Sequence, residues 1–129
     1  MISSDDTRGP FDSFVTALVD AAASAAGEKL AHDTVVLDLR QLIDSFDALV
    51  VTSGGNDRQV RSIAEEIERV IDQLLMVRPL RVEGRVEGQW IALDYGDVIV
   101  HIFDDASRGY YDLEHLWNAA PVFRPEGSR

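Results

Sequence analysis

The sequence predicts an α/β fold, a mixed sheet of about five strands packed against about three helices. Three patterns lead to this prediction. Short runs rich in β-branched residues alternate with longer segments of helical apolar spacing. Residues 48–83 contain a strand, a long helix and a strand, which is the length of a crossover between parallel strands. Residues 89–103 have the pattern of an antiparallel hairpin, so the sheet is mixed.

Length and composition limit the classes of function. The chain has 129 residues, which fits one domain, and its 46% of hydrophobic residues can form a core. It contains no cysteine, so disulfides, thiolate zinc sites and a cysteine nucleophile are excluded. No apolar run approaches the roughly 18 residues of a membrane span, and residues 1–10 are polar. We therefore expect a cytoplasmic protein.

The chain is strongly acidic. Its 12 basic and 23 acidic residues give a formal net charge of −11. Phosphate backbones repel such a chain, which disfavours direct nucleic-acid readout. A basic protein partner would be attracted by the same charge. The alternative is that the acidity serves only solubility.

The ends of the chain are predicted to be flexible. Residues 1–9 are rich in Ser, Asp, Thr and Gly, which is typical of a frayed N-terminus. The composition of residues 121–129 predicts a flexible C-terminal tail. A single domain over residues 10–120 remains between them.

The first half of the domain contains one helix and two strands. Pro10 suits a first helical turn, and apolar residues at spacings of three and four predict a helix over 10–27. Residues 34–38 are nearly all apolar, as in a strand buried on both faces. The connector 39–46 is too short for a parallel crossover. The strand at 48–52 is therefore antiparallel to the first or not its neighbour.

The longest helix follows the turn at residues 53–57. Asn56 with Gln59 three residues later has the form of a capping box, and apolar residues then keep the helical period for four turns. Pro79 ends this element, and a strand follows at 80–83.

The hairpin and a short helix complete the domain. Strands are predicted at 89–95 and 97–103, and Gly96 supplies the positive φ that the turn needs. A helix follows at about 108–119. Both tryptophans and all three tyrosines lie between residues 88 and 117, which favours a contact surface over a reaction centre.

One candidate for chemistry is the turn Ser53-Gly54-Gly55, because backbone N–H groups at a helix start can hold a phosphate. Nucleotidyltransferases follow such a turn with two metal-binding carboxylates one residue apart on a strand. Glu66 and Glu68 have that spacing, but in a helix they point about 200° apart and cannot share a metal. The turn alone leaves one alternative function, a nucleotidyltransferase-like enzyme that binds a nucleotide and Mg²⁺ at Ser53–Asn56. We favour a structural turn and cap.

The remaining candidates are acidic and histidine side chains. Mg²⁺ could use several aspartate oxygens, but turns and helix starts are where Asp is ordinarily found. The histidines have no metal-ligand spacing. His101 shares one strand face with Ile99 and Phe103, and we interpret it as a hydrogen-bonded structural residue. We therefore assign no catalytic residue, no cofactor and no metal ligand.

Several segments of the chain together form a recognisable signature. They are Val36-Leu37-Asp38, Phe46-Asp47, Asp57-Arg58-Gln59-Val60, Val82-Glu83-Gly84, the hairpin from Trp90 to His101, and the segment from Arg108 to Trp117. With these segments the chain from Asp33 to Trp117 resembles the Iojap-like ribosomal silencing factors. The turn reads Gly54-Gly55-Asn56 where the family usually has threonine or serine after the first glycine, so no function is carried over to it.

The resemblance implies a translational repressor and no enzymatic activity. Members of the family bind the large ribosomal subunit by docking on its ribosomal protein fourteen. They block joining of the small subunit and lower translation when nutrients are scarce. The resemblance also implies a nucleotidyltransferase-like core without catalytic carboxylates, and a homodimer when the protein is free.

The expected mechanism is steric occlusion by the hairpin and the last helix. Trp90, Ala92 and Asp94 share one strand face, while Ile91, Leu93 and Tyr95 share the other. The predicted partner-binding residues are Trp90, Asp94, Tyr95, Asp97, Tyr111, Glu114, Leu116 and Trp117. A third possibility is a dimeric adaptor for a different basic protein.

Overall fold

The computed structural model describes residues 11–125, which form both helices and strands, as the sequence predicts. The elements are α1 (Ser13–Glu28), β1 (His32–Asp38), β2 (Ala48–Gly54), α2 (Asp57–Leu75), β3 (Arg81–Glu83), β4 (Trp90–Asp94), β5 (Val98–Asp104), α3 (Asp105–Tyr111), α4 (Leu113–Leu116) and β6 (Val122–Phe123). The predicted flexible N-terminus, residues 1–9, lies outside the described residues. No helix between residues 11 and 125 is long and apolar enough to cross a membrane.

The strands form one mixed sheet in the order β3-β4-β5-β2-β1-β6. The pair β2 and β5 is parallel, and the other four neighbouring pairs are antiparallel. The mixed α/β class is confirmed, and so is the antiparallel pairing of the first two strands. The predicted number of five strands is wrong, because this part of the chain contributes six.

The sixth strand comes from the segment assigned to a flexible tail. Val122 and Phe123 pair with Leu37 and Val36 at the free edge of β1. The Asp38 N–H donates to the Pro121 carbonyl oxygen at 2.9 Å and holds the entry to this strand. A strand of two residues has no period to detect, so only the long-range pairing identifies it. Residues 126–129 lie outside the described part of the chain.

The crossover predicted for residues 48–83 joins parallel strands that are not neighbours. Strand β3 is antiparallel to β4, and β4 is antiparallel to β5, so β3 runs in the direction of β5. Because β5 is parallel to β2, β3 is also parallel to β2. The hairpin of β4 and β5 fills the two positions between them. The length of the connection between β2 and β3 predicts that the two strands are parallel. The hairpin inserted between them places β3 at the edge of the sheet.

Both long helices begin at capping side chains. Asp12 caps α1 by accepting from the Val15 N–H at 2.8 Å, so this helix begins at Ser13, three residues later than the predicted start at Pro10. Asn56 caps α2 by accepting from the Gln59 N–H at 2.8 Å, as the sequence predicts. The Gln59 side chain accepts from the Gly55 N–H, one residue before the position of a standard capping box.

The predicted helix at 108–119 is in fact two short helices. Asp104 caps α3 by accepting from the Ser107 N–H at 2.8 Å, which moves the start of this helix to Asp105. Asp112 has φ 47° and ends α3, and its side chain then caps α4 by accepting from the His115 N–H at 3.3 Å. A left-handed residue cannot continue a helix, so the predicted single element is wrong.

Hydrophobic side chains lie on both faces of the sheet. The larger cluster packs α1 and α2 against one face and contains Val50, Ile91, Leu93, Val100 and Ile102. The smaller cluster lies on the other face, mostly over β1 and β2, and includes Leu37, Leu49, Val51, Phe103 and Leu113. Over β3 and β4 the side chains on this second face remain exposed or partly exposed.

Replacing Gly84 with alanine is expected to destabilise the fold strongly. Gly84 has φ +91°, and a Cβ atom there would lie 1.9 Å from the Trp90 carbonyl oxygen. Strand β4 would have to move, so we expect the free energy of unfolding to fall by about 3 kcal/mol or more. Urea denaturation followed by circular dichroism measures this change.

The matched control is Gly27→Ala, within α1. A Cβ atom at Gly27 meets no described atom within 4 Å, and alanine favours a helix. We expect this variant to be as stable as the wild type or up to about 1 kcal/mol more stable. Equal losses in the two variants would contradict the assigned role of Gly84.

Candidate functional site

The hairpin positions the candidate site. Gly96 turns the chain with φ +90°, and β4 and β5 then pair in antiparallel register from Asp94 with Ile99 to Trp90 with Phe103. Alternation buries Ile91 and Leu93 under the helices and turns the intervening residues to the second face. The predicted hairpin and its two faces are confirmed.

The uncovered part of the second face is called the open face below. It consists of Arg81, Glu83, Trp90, Ala92, Asp94, Ile99 and His101. All these side chains are exposed or partly exposed. Six of them, all except Trp90, surround a depression of about 240 Å³.

An aromatic cluster borders the open face. It consists of Trp90, His101, Phe103 and Tyr111. The Trp90 ring centroid lies 4.9 Å from that of Phe103, which is fully buried, and 4.5 Å from that of Tyr111. Trp90 therefore connects the core to the surface, and Tyr111, which is 48% exposed, continues the apolar surface onto α3.

Trp90 and His101 are joined by a hydrogen bond. The indole Nε1–H of Trp90 donates to Nδ1 of His101 at 2.8 Å, diagonally across the hairpin, because Trp90 faces Phe103 and His101 faces Ala92. Burial lowers the pKa of His101 from 6.5 to about 4. The prediction of a hydrogen-bonded histidine at this position is confirmed, and the ring is neutral at pH 7.

Asp94 lies on the open face beside a basic residue. Its Oδ1 accepts from the Gly96 N–H at 2.8 Å, and its Oδ2 lies 3.6 Å from a guanidinium nitrogen of Arg81. The Arg81 side chain is 72% exposed, so solvent screens this ion pair. The Asp94 carboxylate remains available to a cation from outside.

Tyr95 does not lie on this surface. Its side chain is only 6% exposed and belongs to the larger cluster under the helices. Burial raises its pKa, and its hydroxyl is the one buried side-chain polar atom without a partner among residues 11–125. The prediction of Tyr95 as a contact residue is therefore corrected. The alternation of β4 already placed Tyr95 with Ile91 and Leu93 on the inner face.

Asp97 is exposed at the hairpin turn, far from Trp90. At ~3.3 Å per residue, β4 separates the turn from Trp90 by roughly 15 Å or more. The Asp97 carbonyl oxygen accepts from the Asp47 N–H at 2.7 Å and fixes the turn against the start of β2. The predicted surface therefore extends along the whole hairpin instead of forming one compact patch.

Glu114 is held by an internal ion pair. Arg108 donates to both of its carboxylate oxygens, at 3.2 and 2.8 Å, and lowers its pKa. Arg108 also donates to Ser53 Oγ at 2.6 Å and to the Asp33 carbonyl oxygen at 2.7 Å. Glu114 thus anchors α4 to the sheet, a role that the sequence analysis missed because its partner is fixed only by the fold.

The last two predicted residues, Leu116 and Trp117, differ in exposure. Leu116 is 67% exposed at the end of α4. Trp117 is partly buried and packs against the smaller cluster, as Trp90 and Ile99 do. Of the eight predicted residues, the structure brings Trp90 and Tyr111 into ring contact, packs Trp117 on the same smaller cluster as Trp90, and leaves Leu116 open to solvent.

The groups of the Ser53–Asn56 turn are occupied by internal hydrogen bonds. Ser53 Oγ accepts from Arg108, and the Gly55 N–H donates to Gln59 at 2.6 Å. Glu66 and Glu68 lie in α2 and pair separately with Arg69 and Arg85. Among residues 11–125 no group of three or more acidic or histidine side chains is arranged to hold a metal ion.

The comparisons with known proteins agree on one family. The family model described as "Ribosomal silencing factor during starvation" matches residues 13–128. A Bacillus subtilis protein named ribosomal silencing factor RsfS is 36% identical over 105 residues, covering 81% of this chain and 88% of that protein. A Halalkalibacterium halodurans protein with the same name is 34% identical over 111 residues, covering 85% and 93%.

The fold is also similar to a solved structure. A crystal structure of a Chromobacterium violaceum protein superposes with a TM-score of 0.76 at 31% identity, covering 80% of this chain and 85% of that one. The resemblance drawn from the hairpin and the Arg108–Trp117 segment is therefore confirmed.

The free energy of unfolding is expected to depend on His101 below pH 6.5. The pKa of His101 is about 4 in the folded protein and 6.5 in the unfolded chain, so the unfolded chain binds more protons between these values. The stability due to the neutral ring is complete above pH 6.5 and is lost as the pH falls through 4, on the order of 3 kcal/mol in all. Urea denaturation at stepped pH measures the loss.

The variant His101→Phe should show a shallower dependence over the same interval. Arg81, Glu83 and Asp94, the charged groups around the depression, are unchanged in this variant. The control His32→Phe removes a histidine that faces Asp105 at 2.6 Å. A slope for His101→Phe equal to that of the wild type would disprove the assignment.

Proposed function

Because this chain belongs to the ribosomal silencing factor family, we propose that it is a translational repressor that acts on the ribosome. It binds the large subunit through ribosomal protein fourteen and sterically blocks joining of the small subunit. It acts in the cytoplasm, when nutrients are scarce, and is a homodimer when free. Its sheet and helices correspond to a nucleotidyltransferase core that has no catalytic role.

The observation that carries the proposal is the open face. A sheet in a small domain needs one covered face for its core, and here α1 and α2 cover that face completely. The second face exposes an edge of the aromatic cluster beside carboxylates. Aromatic side chains at a partly buried surface supply large contact area at low entropic cost, which is characteristic of interface centres.

The charge of the chain supports a basic partner. A net charge of −11 attracts a basic ribosomal protein and repels the surrounding RNA backbone. Asp94 and Asp97 are the predicted residues whose carboxylates remain available on the hairpin. Binding should therefore weaken as salt concentration rises.

The mechanism requires no chemical step. The repressor occupies the surface that the small subunit would contact, so affinity and position determine its effect. The occupied turn at Ser53–Asn56 and the separate ion pairs of Glu66 and Glu68 support a role without nucleotide chemistry.

Truncation of an exposed apolar contact should weaken binding to the large subunit. Leu116 is 67% exposed, and Leu116→Ala should cost about 1–2 kcal/mol of binding free energy if a partner covers it. Trp90→Ala should cost about 2 kcal/mol or more, the scale of an interface hot spot. Co-sedimentation with purified large subunits at increasing salt measures both.

Leu74→Ala is the matched control for Leu116→Ala. Leu74 is 66% exposed, but it lies at the end of α2 and away from the open face. Its truncation should leave the affinity unchanged. Trp90→Ala also removes core contacts, so its fold must be verified by circular dichroism. Equal affinities of the wild type and the Leu116 and Trp90 variants would refute the proposed surface.

The rival enzymatic function has its own test. A nucleotidyltransferase-like enzyme would bind ATP or CTP with Mg²⁺ at the Ser53–Asn56 turn. Isothermal titration calorimetry should give no heat of binding at micromolar nucleotide, because the Gly55 N–H already donates to Gln59 and Ser53 Oγ already accepts from Arg108. A measurable affinity, lost in Ser53→Ala, would favour the enzyme.

A further inference from the structure

The two ring nitrogens of His101 have different surroundings. Nδ1 accepts the hydrogen bond from the Trp90 indole at 2.8 Å. An indole N–H can only donate, so Nδ1 must be without a proton. A neutral imidazole with an unprotonated Nδ1 carries its proton on Nε2. Trp90 therefore fixes one tautomer of His101, with Nε2–H as a donor.

The Nε2–H group of His101 has no hydrogen-bond partner among residues 11–125. It is not fully buried, because Tyr95 Oη is the one fully buried side-chain polar atom that lacks a partner in this part of the chain, and His101 is partly exposed. His101 lines the depression on the open face. The group is thus a fixed and unused donor at a surface depression.

The size of the depression indicates its occupant. About 240 Å³ is below the 300–1,000 Å³ typical of pockets that enclose a small ligand. The depression is part of an exposed sheet face and continues towards Trp90 and Tyr111. A segment of a protein partner fits such a site better than a cofactor does.

The charges around the depression restrict which acceptor can approach. Asp94 in β4 and Glu83 in β3 are the two acidic residues that line the depression, and Arg81 is the one arginine or lysine among its six lining residues. The Arg81 guanidinium lies 3.6 Å from Asp94 and is largely exposed, so an incoming cation can compete for this carboxylate. Two carboxylates would repel an anionic acceptor. They would not repel a neutral carbonyl oxygen, and they would attract a neighbouring Lys or Arg side chain.

We propose that the Nε2–H of His101 donates a hydrogen bond to a main-chain carbonyl oxygen of a basic protein partner, while Asp94 and Glu83 receive an adjacent cationic side chain of that partner. Trp90 is a positioning residue for this contact, because it holds His101 in the tautomer that can donate. The inference rests on the proposed function, and it specifies how the open face selects its partner.

The wild-type protein gives the first test. With ¹⁵N-labelled histidine, long-range ¹H–¹⁵N NMR at pH 7 should show His101 as the Nε2–H tautomer. Addition of purified ribosomal protein fourteen should shift the Nε2–H resonance and slow its exchange with water. An Nδ1–H tautomer, or an Nε2–H signal unaffected by a bound partner, would overturn the proposal.

Affinity measurements with the same partner and with large subunits give the second test. His101→Phe keeps a ring beside Trp90 and Phe103 and should weaken binding about tenfold, the scale of one lost hydrogen bond. Trp90→Phe should weaken binding about threefold more in the wild-type background than in the His101→Phe background, because the indole N–H acts through His101. His32→Phe should bind as the wild type does.

The outcomes separate this inference from the proposed function. If the wild type does not sediment with large subunits, the proposed function and this inference both fail. If the wild type binds and a folded His101→Phe binds equally well, only the role of His101 fails. If His101→Phe alters self-association in analytical ultracentrifugation and not partner binding, the open face belongs to a second copy of the chain, and the proposal is again overturned.

Discussion

The packing of α1 and α2 against one face of the sheet is the constraint on which the rest of the structure depends. The helices cover the inward side chains of the central strands so fully that most of that cluster is inaccessible to water. Each large aliphatic side chain buried in this way contributes about 1.5–3 kcal/mol of transfer free energy. Because one face supplies the core, the other face is only partly needed for stability. The short α3 and α4 helices and the 39–47 connector can leave part of it open.

The open face remains ordered because its polar groups are tied to the hairpin. Trp90 packs on buried Phe103 and donates to His101, so a ring with one surface exposed is still held in a single orientation. Asp94 is fixed in the same way by the Gly96 N–H at the turn. Such preorganisation lowers the entropy lost on binding, which is where much of the cost of association lies. A surface that is rigid before it meets a partner is suited to occlusion, which requires stable placement and no chemical change.

The charged groups of the protein divide into pairs that join elements of the fold and carboxylates at the hairpin surface. Arg108 joins α3, α4, β1 and β2 through its contacts with Glu114, Asp33 and Ser53, so these charges serve the fold. Asp97 and Asp94 lie on the hairpin, where solvent or a partner can reach them. Under the proposed function, these hairpin carboxylates are the ones that would face a basic partner. The acidic residues elsewhere either pair with arginines or remain dispersed.

The sequence by itself determined what depends on local pattern. Helical spacing located α1 and α2, Asn56 marked the start of α2, and strict alternation around Gly96 gave the hairpin and its two faces. Alternation also placed His101 on the outer face and Tyr95 on the inner one. The tertiary structure decided what depends on contacts between distant segments: the pairing of Val122–Phe123 with β1, the capture of Glu114 by Arg108, and the break at Asp112 that lets α4 turn back over the sheet. Periodicity reports which side of an element is apolar, but it carries no information about which distant group will lie opposite a given side chain. That choice is made only when the whole chain has packed.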